Sequence, residues 1–334
     1  MDKSTFLKKY NISEEDFNKT NLEWDSLMEI YNDFQSRIQE LEVIANFVGK
    51  LLKKVDVVHS VNHRVKDPEH LIEKIIRKKL SKPNMTITLK NYTKKVTDLI
   101  GIRVLHLFKE DWKNIHEYII STWPTVEKPK ANIRKGDSGN LIDSFKAKGC
   151  KIVEHPFGYR SVHYIVKVNH NRKTFVSEIQ VRTIFEEGWS EIDHKIRYPY
   201  DIDNTILANF LVIFNRLAGS ADEMGSYVNY LHNELNNINE NHCKELEEKN
   251  KIIDELRSTI DKLEIESEDK EKLKNKIACL EKKFPKLSIY HDDRITEAFQ
   301  SYKNRNKVIQ KSETINTDSM RNLNHRLNTR VKKN

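Results

Sequence analysis

The sequence predicts a domain of the α/β or α+β class, built on a mixed β-sheet over roughly residues 55–200 and followed by a helical extension. Three observations carry that expectation. Apolar residues recur at helical spacing before residue 54, the period changes to that of strands from about residue 96, and a heptad-like apolar seam returns after residue 235.

Taken in order, residues 22–53 set Leu27, Ile30, Phe34, Ile38, Leu41, Ile44, Val48 and Leu52 at spacings of three and four, the pattern of one long amphipathic helix. Asp67-Pro68 opens a second helix, PEHLIEKIIRKKL. Its proline stands where a missing N–H costs nothing, and its Lys/Arg-rich end suits a helix C-terminus. VTDLIGIRVLHLF is β-rich, and DWKNIHEYIIST (111–122) reads as a helix. SVHYIVKV (161–168) and TFVSEIQVRT (174–183) flank the polar connector NHNRK, which predicts a hairpin. A helix over IFEEGWSEIDHKIRY follows, and another at 205–234 braces the domain.

Beyond 235, Leu246, Ile253, Leu256, Ile260 and Leu263 form a seam, resumed at Leu273, Ile277, Leu280 and Phe284. Two readings stand side by side: a coiled coil for self-association, and a solvated helix or helical hairpin. The expected organisation is a helical segment 1–54, the sheet domain 55–200, a flanking helix 201–234, a helical or coiled-coil extension 235–290 and a polar, basic, partly disordered tail 291–334.

With 334 residues, 37% of them hydrophobic and 32% charged, the chain can bury a core while much of its helix surface stays solvated. A net charge of +8 suits an anionic partner: nucleotide, nucleic acid or membrane surface. Cys150, Cys243 and Cys279 lie far apart without a CxxC pair, which excludes a zinc pattern or disulfide framework and fits a reducing compartment. MDKSTFLKKYNISEEDF lacks a signal peptide's apolar run, and ILANFLVIFNRLAG (206–219) is too short and too polar to cross a bilayer. The expectation is a cytoplasmic protein without a membrane partner.

Four clusters carry chemistry. In HRVKDPEHLIEKIIRKK, Arg64, Lys66, His70, Lys74, Arg77 and Lys78 crowd the start and one face of a helix, where like charges repel unless an anion neutralises them. Polyphosphate would do so; a solvated basic face is the plainer reading. In DLIGIRV, Asp98 opens an apolar strand and Gly101 lets a group approach the backbone. Asp98 suits a Mg²⁺ ligand as well as a turn residue. In FGYRSVHY, Tyr159 offers a ring to stack on a base or a simple turn aromatic, with Arg160, Ser161 and His163 nearby. In EIQVRT, Glu178, Gln180 and Arg182 share a strand face that looks at solvent or at a substrate, and the helix after it carries Trp189, His194, Lys195 and Arg197.

Order and spacing join these clusters. RVKDPEHLIEKIIRKK … DLIGIRV … GYRSVH … EIQVRT … GWSEIDHKIRY resembles the synthetase domain of the RelA/SpoT homologue family, the alarmone (p)ppGpp synthetases, and among them the small single-domain members. The resemblance implies an α+β, nucleotidyltransferase-like fold and transfer of pyrophosphate from ATP to the ribose 3′-hydroxyl of GDP or GTP, releasing AMP. It implies Mg²⁺ held by Asp98 and Glu178, with Glu178 also helping to activate the 3′-hydroxyl. ATP falls to Arg64, Lys66, Lys74 and Arg77. The acceptor base stacks on Tyr159, with His163 and Gln180 on the same side.

The chain departs from the family pattern in two places: His70 stands where a Ser is usual, and GCKIVEHPFGY lacks the family's Pro-Lys pair before its Gly-Tyr. With about 55 residues before the domain, the family's hydrolase domain is not expected, and the HDD at 291–293 reads as chance. A homo-oligomer formed through the flanking helices is expected. Two other readings remain open: a related enzyme that pyrophosphorylates the 3′ end of tRNA, and a non-enzymatic nucleotide-sensing or coiled-coil scaffold.

Overall fold

A computed structural model describes residues 2–137, 139–197, 205–262 and 266–283. Leu263, Phe284, the HDD stretch and the basic tail from 291 lie outside the described residues. The chain divides into two compact units, Met1–Asn229 and Tyr230–Asn334.

The first unit begins with two short helices, α1 (Lys3–Lys9) and α2 (Glu14–Lys19), and the long α3 (Trp24–Leu52). One stripe of α3, with Leu27, Ile30, Phe34, Ile44, Val48 and Leu52, is buried. Strand β1 (Val58–Val65) follows, then α4 (Pro68–Ser81). Asp67 caps α4, its Oδ1 accepting from the N–H groups of Glu69 and His70 at 2.9 and 3.1 Å. After α5 (Tyr92–Lys95) come β2 (Ile100–His106) and α6 (Trp112–Thr122). Then β3 (Lys130–Ile133), α7 (Asn140–Ala147) and β4 (Lys151–Glu154) lead to the hairpin of β5 (Ser161–His170) and β6 (Lys173–Thr183). Helices α8 (Ile184–Arg197) and α9 (Thr205–Lys262) close the series.

Six strands form one mixed sheet in the order β1-β2-β6-β5-β3-β4, with β2 and β6 parallel and β5 antiparallel to both β6 and β3. Flanked by helices, it is the expected α+β architecture. The hairpin turns on Asn171 and Arg172, both at positive φ (45° and 61°), the backbone of a turn whose twist matches the strands it joins.

Register explains how one face of the sheet becomes polar. Arg64 pairs with Gly101, Gly101 with Glu178 and Glu178 with Ile165; in the adjacent row stand Asn62, Arg103, Gln180 and His163. Paired residues point the same way, so the two rows bring polar side chains from four strands to one surface. The opposite face carries Val61, Ile100, Ile102, Val104, Ile179 and Val181, all buried in the core with α3, α4 and α6.

Helix α9 runs without a break from Thr205 to Lys262, so the division expected at 234/235 is not a break in secondary structure. No Gly or Pro lies between Ser226 and Lys262 to interrupt it. In the second unit the end of α9 faces α10 (Ser267–Lys283). Lys274 pairs with Asp261 at 2.6 Å, Lys270 donates to the Asp261 carbonyl at 3.0 Å, and Ile260 and Ile277 are buried. That is a helical hairpin, while Leu246 and Leu256 of the same seam stay exposed. Among the described residues no helix is long and apolar enough to cross a membrane.

Candidate active site

Two clefts open on the polar face. The larger, about 790 Å³, is walled by Arg64, Lys66, His70, Glu73, Lys74, Arg77 and Lys78, with His194 reaching in from α8. A smaller one of about 140 Å³ holds Asn62, His63, Arg64, Asp98, Arg103, Glu178 and Gln180. Arg64 is common to both. Its side chain lies over Gly101, 3.7 Å from where a Cβ would stand, so the group that approaches this glycine is the protein's own arginine.

Asp98 ends the turn before β2 and meets two cations. Lys66 Nζ donates to its Oδ2 at 2.9 Å and Lys74 Nζ to the same oxygen at 2.5 Å. Burial pushes this carboxyl up, but the two ammonium groups outweigh burial and hold it below the ordinary carboxylate range. The other oxygen, Oδ1, is buried without a hydrogen-bond partner.

Glu178 sits on the neighbouring parallel strand. His163 Nδ1 lies 3.2 Å from its Oε1, and the Gln180 amide donates to its Oε2 at 2.9 Å. Burial again pushes the carboxyl up; the hydrogen bond and charge of His163 and the Gln180 amide overcome it, leaving the group below its usual range. Gln180 in turn accepts from Arg182 Nη2 at 3.2 Å, so a polar chain runs along β6.

Arg182 is almost wholly buried. It pairs with Glu187 at 2.7 Å, donates to Ser190 at 2.9 Å and lies 5.1 Å from the ring centroid of Tyr159. Tyr159 stands edge-on to His163, ring centroids 5.9 Å apart. Arg103 reaches Glu187 at 3.1 Å and also pairs with Glu191. These ion pairs pin α8 against the polar face.

The nine residues to which the resemblance gives roles line or adjoin the two clefts. Lys66, Lys74 and Asp98 form one contact group; His163, Gln180 and Glu178 form another; Tyr159 adjoins the second and Arg64 lines both clefts. Arg77 stands at the outer wall, more than half exposed and paired with Glu73 at 2.8 Å.

The expectation that the basic helix needs an outside anion is corrected in part. Asp98 and Glu73 supply counter-charges from within, because α4 packs its cationic face against the loop before β2. Crowding does show at Lys78, whose ammonium is pushed down by burial and by Lys74. Trp189 proves to be a core residue, its indole N–H donating to the Leu211 carbonyl at 3.0 Å. Asn62, His63 and Arg103 join the smaller cleft without having been singled out. Reading VHSVNHRV as a strand would have placed Asn62 beside Arg64, on the same face.

A mixed sheet with one polar face, two carboxylates from adjacent segments and a lysine-rich helix beside them together make an α+β domain with a charged cleft. Residues 63–203 match the family model described as the region found in RelA / SpoT proteins. Over 193 residues the chain is 27% identical to GTP pyrophosphokinase YwaC of Bacillus subtilis (strain 168), covering 54% of this chain and 81% of that protein. Among solved structures, the small alarmone synthetase 1 from Bacillus subtilis aligns with 22% identity over 60% of this chain and 94% of its own, at a TM-score of 0.44. A GTP pyrophosphokinase family protein from Streptococcus pneumoniae aligns with 24% identity over 62% and 93%, at 0.41.

Proposed function

We propose that this protein is a (p)ppGpp synthetase, which transfers pyrophosphate from ATP to the ribose 3′-hydroxyl of GDP or GTP and releases AMP. The observation that carries the reading is the meeting of Asp98 and Glu178 in one cleft, the first bracketed by Lys66 and Lys74. Phosphoryl transfer asks a protein for position and for positive charge rather than for covalent chemistry, and this cleft offers both.

In this reading the larger basic cleft takes ATP. Lys66 and Lys74 turn from Asp98 towards the phosphates, Arg77 adds charge at the mouth, and the Arg64 guanidinium, extended over Gly101, offers a plane to the adenine. Tyr159 offers its ring to the guanine, while His163 and Gln180 hold Glu178 in a fixed, ionised orientation from which it accepts the proton of the 3′-hydroxyl.

The residues also fit a magnesium ion. Among the described residues there is no group of three or more His, Cys, Asp or Glu that could hold a metal, but Mg²⁺ needs only one or two carboxylates beside phosphate oxygens and water. Asp98 Oδ1, buried and unpartnered, is such a donor, and Glu178 is the other carboxylate of the cleft. Bound there, the ion would neutralise charge on the phosphates.

Cytoplasmic placement and self-association complete the reading. Ile206, Phe210, Ile213 and Leu217 give α9 an exposed apolar face for the latter, which light scattering on the purified chain would test.

The deciding experiment incubates the protein with Mg²⁺ and ATP labelled in its β,γ-phosphates, offering GDP, GTP or deacylated tRNA in parallel. Label on the guanosine nucleotide is expected. Label on tRNA alone would keep the chemistry and replace the acceptor, and no transfer to any of them would favour a sensing or scaffold protein.

A further inference from the structure

The loop that carries Tyr159 is gripped by a helix outside every motif. Gly158 takes φ +74°, in the left-handed region that favours glycine. That carbonyl accepts from Asn215 Nδ2 of α9 at 3.1 Å, and Arg134 Nη1 donates to Asn215 Oδ1 at 3.4 Å. Asn215 is 2% exposed. A primary amide so deeply buried is costly unless both its ends are matched, and here the loop and Arg134 match them.

One turn further along α9 stands Gly219. A Cβ there would lie 2.6 Å from Arg160 Nη1, closer than atoms can stand. Arg160 has little room to yield. Its Nε and Nη2 donate to Asp137 at 2.7 and 2.5 Å and its Nη1 to Glu186 at 3.0 Å. Asn215 and Gly219, four residues apart on one helix face, therefore hold the residues on either side of Tyr159. With Gly158 and Arg160 fixed, the tyrosine ring keeps its station between Arg182 and His163.

We infer that Asn215 and Gly219 are positioning residues for the acceptor nucleotide, setting through Gly158 and Arg160 the plane of the Tyr159 ring on which the acceptor's base packs. The inference rests on the functional reading above for the role of Tyr159, but the clamp itself stands on contacts outside the catalytic cleft. A stacking ring works only when its plane is held, and a loop released from α9 would present the ring in many orientations.

The test uses the full chain and the variants Asn215→Ala and Gly219→Ala, assayed for transfer with ATP and GDP varied in turn. Loss of one buried hydrogen bond is expected to raise the KM for GDP in Asn215→Ala roughly fivefold to tenfold. The KM for ATP and kcat should stay within about twofold of wild type, because Lys66, Lys74, Asp98 and Glu178 are untouched. Gly219→Ala should raise the KM for GDP in the same way although alanine favours a helix over glycine. A rise confined to the KM for GDP, with the KM for ATP and kcat unmoved, separates positioning from general damage whatever the thermal midpoint does. Should Asn215→Ala not fold, Gly219→Ala decides alone. An unchanged KM for GDP, or a joint rise for both substrates with a fall in thermal midpoint, overturns the inference. If the wild type labels no guanosine nucleotide, the functional reading has failed on its own terms. Amide exchange over residues 157–161 then judges the clamp: faster exchange in Asn215→Ala upholds it, and identical exchange refutes it.

Discussion

Replacing Asp222 by Asn should make the first unit more stable at neutral and alkaline pH, and the structure gives the size of the effect. Asp222 is 1% exposed on α9, its Oδ2 accepting from Thr183 Oγ1 at 2.9 Å while its Oδ1 is buried with no hydrogen-bond partner. Burial pushes the carboxyl up to about 7; Thr183 opposes the shift, Glu186 adds to it, and Lys109 and Arg160 oppose it. The folded chain therefore binds this proton more tightly than the unfolded chain does. The group's contribution is fully present below about pH 4 and is lost as pH rises through about 7. From an unfolded value of 3.8 the shift corresponds to a ceiling of about 4 kcal/mol, a large part of a typical folding free energy.

Asparagine keeps an acceptor for Thr183 and removes the charge. All four tryptophans lie in residues 24–189, so urea unfolding followed by tryptophan fluorescence reports on this unit. Between pH 5 and 8 the wild-type midpoint should fall relative to that of Asp222→Asn, leaving the variant the more stable above pH 7. Asp98, Glu178 and Asp137, held low, act in the opposite sense: their contribution is lost as pH falls below the ordinary carboxylate range, outside this window and alike in both proteins. Midpoints that move in parallel from pH 5 to 8 would refute the reasoning.

Three further outcomes are expected. Glu178→Gln should lower kcat for transfer by about a hundredfold or more while ATP affinity, measured by calorimetry, stays near wild type; equal turnover would remove Glu178 from the reaction. Tyr164→Phe leaves the Trp112 indole N–H and His116 Nδ1, each 3.0 Å from the tyrosine hydroxyl, without that partner in the core. It should cost about 1–3 kcal/mol in urea unfolding with little change in KM. Arg172→Gly relieves a non-glycine residue at φ 61° in the hairpin turn and should stabilise by about 1 kcal/mol, seen as a thermal midpoint a few degrees higher.

Local chemistry made much of this legible beforehand. The stripe of α3, the Asp67-Pro68 start of α4 and the turn between β5 and β6 are each set by residues within a few positions of one another, and each was readable. Strand β1 was not, because VHSVNHRV buries only Val61 fully and its basic end reads as the approach to a helix. Strands β3 and β4, four residues each, are too short to show a period. In the site, types and order were plain but pairings were not. Nothing local says that Lys66 and Lys74 close on Asp98, or that His163 closes on Glu178, since those contacts follow from the packing of α4 on the loop before β2 and from sheet register. The hold of Asn215 on Gly158 was hidden because it depends on how α9 packs on the loop, and Asn215 lies inside a stretch that reads only as an apolar helix.

The parallel pairing of β2 with β6 has a bearing on how the chain is made. Asp98 and its two lysines belong to a compact N-terminal stretch, whereas Glu178 arrives about 80 residues later, on the last strand to emerge. On a ribosome adding residues one by one, the basic half of the site exists well before its acidic counterpart, and β2 waits with an unpaired edge. During that interval Asp98 gives Lys66 and Lys74 a resident counter-ion. A nascent chain so balanced offers cellular polyanions less free charge than its composition suggests, and the cleft gains its second carboxylate only once the sheet has closed.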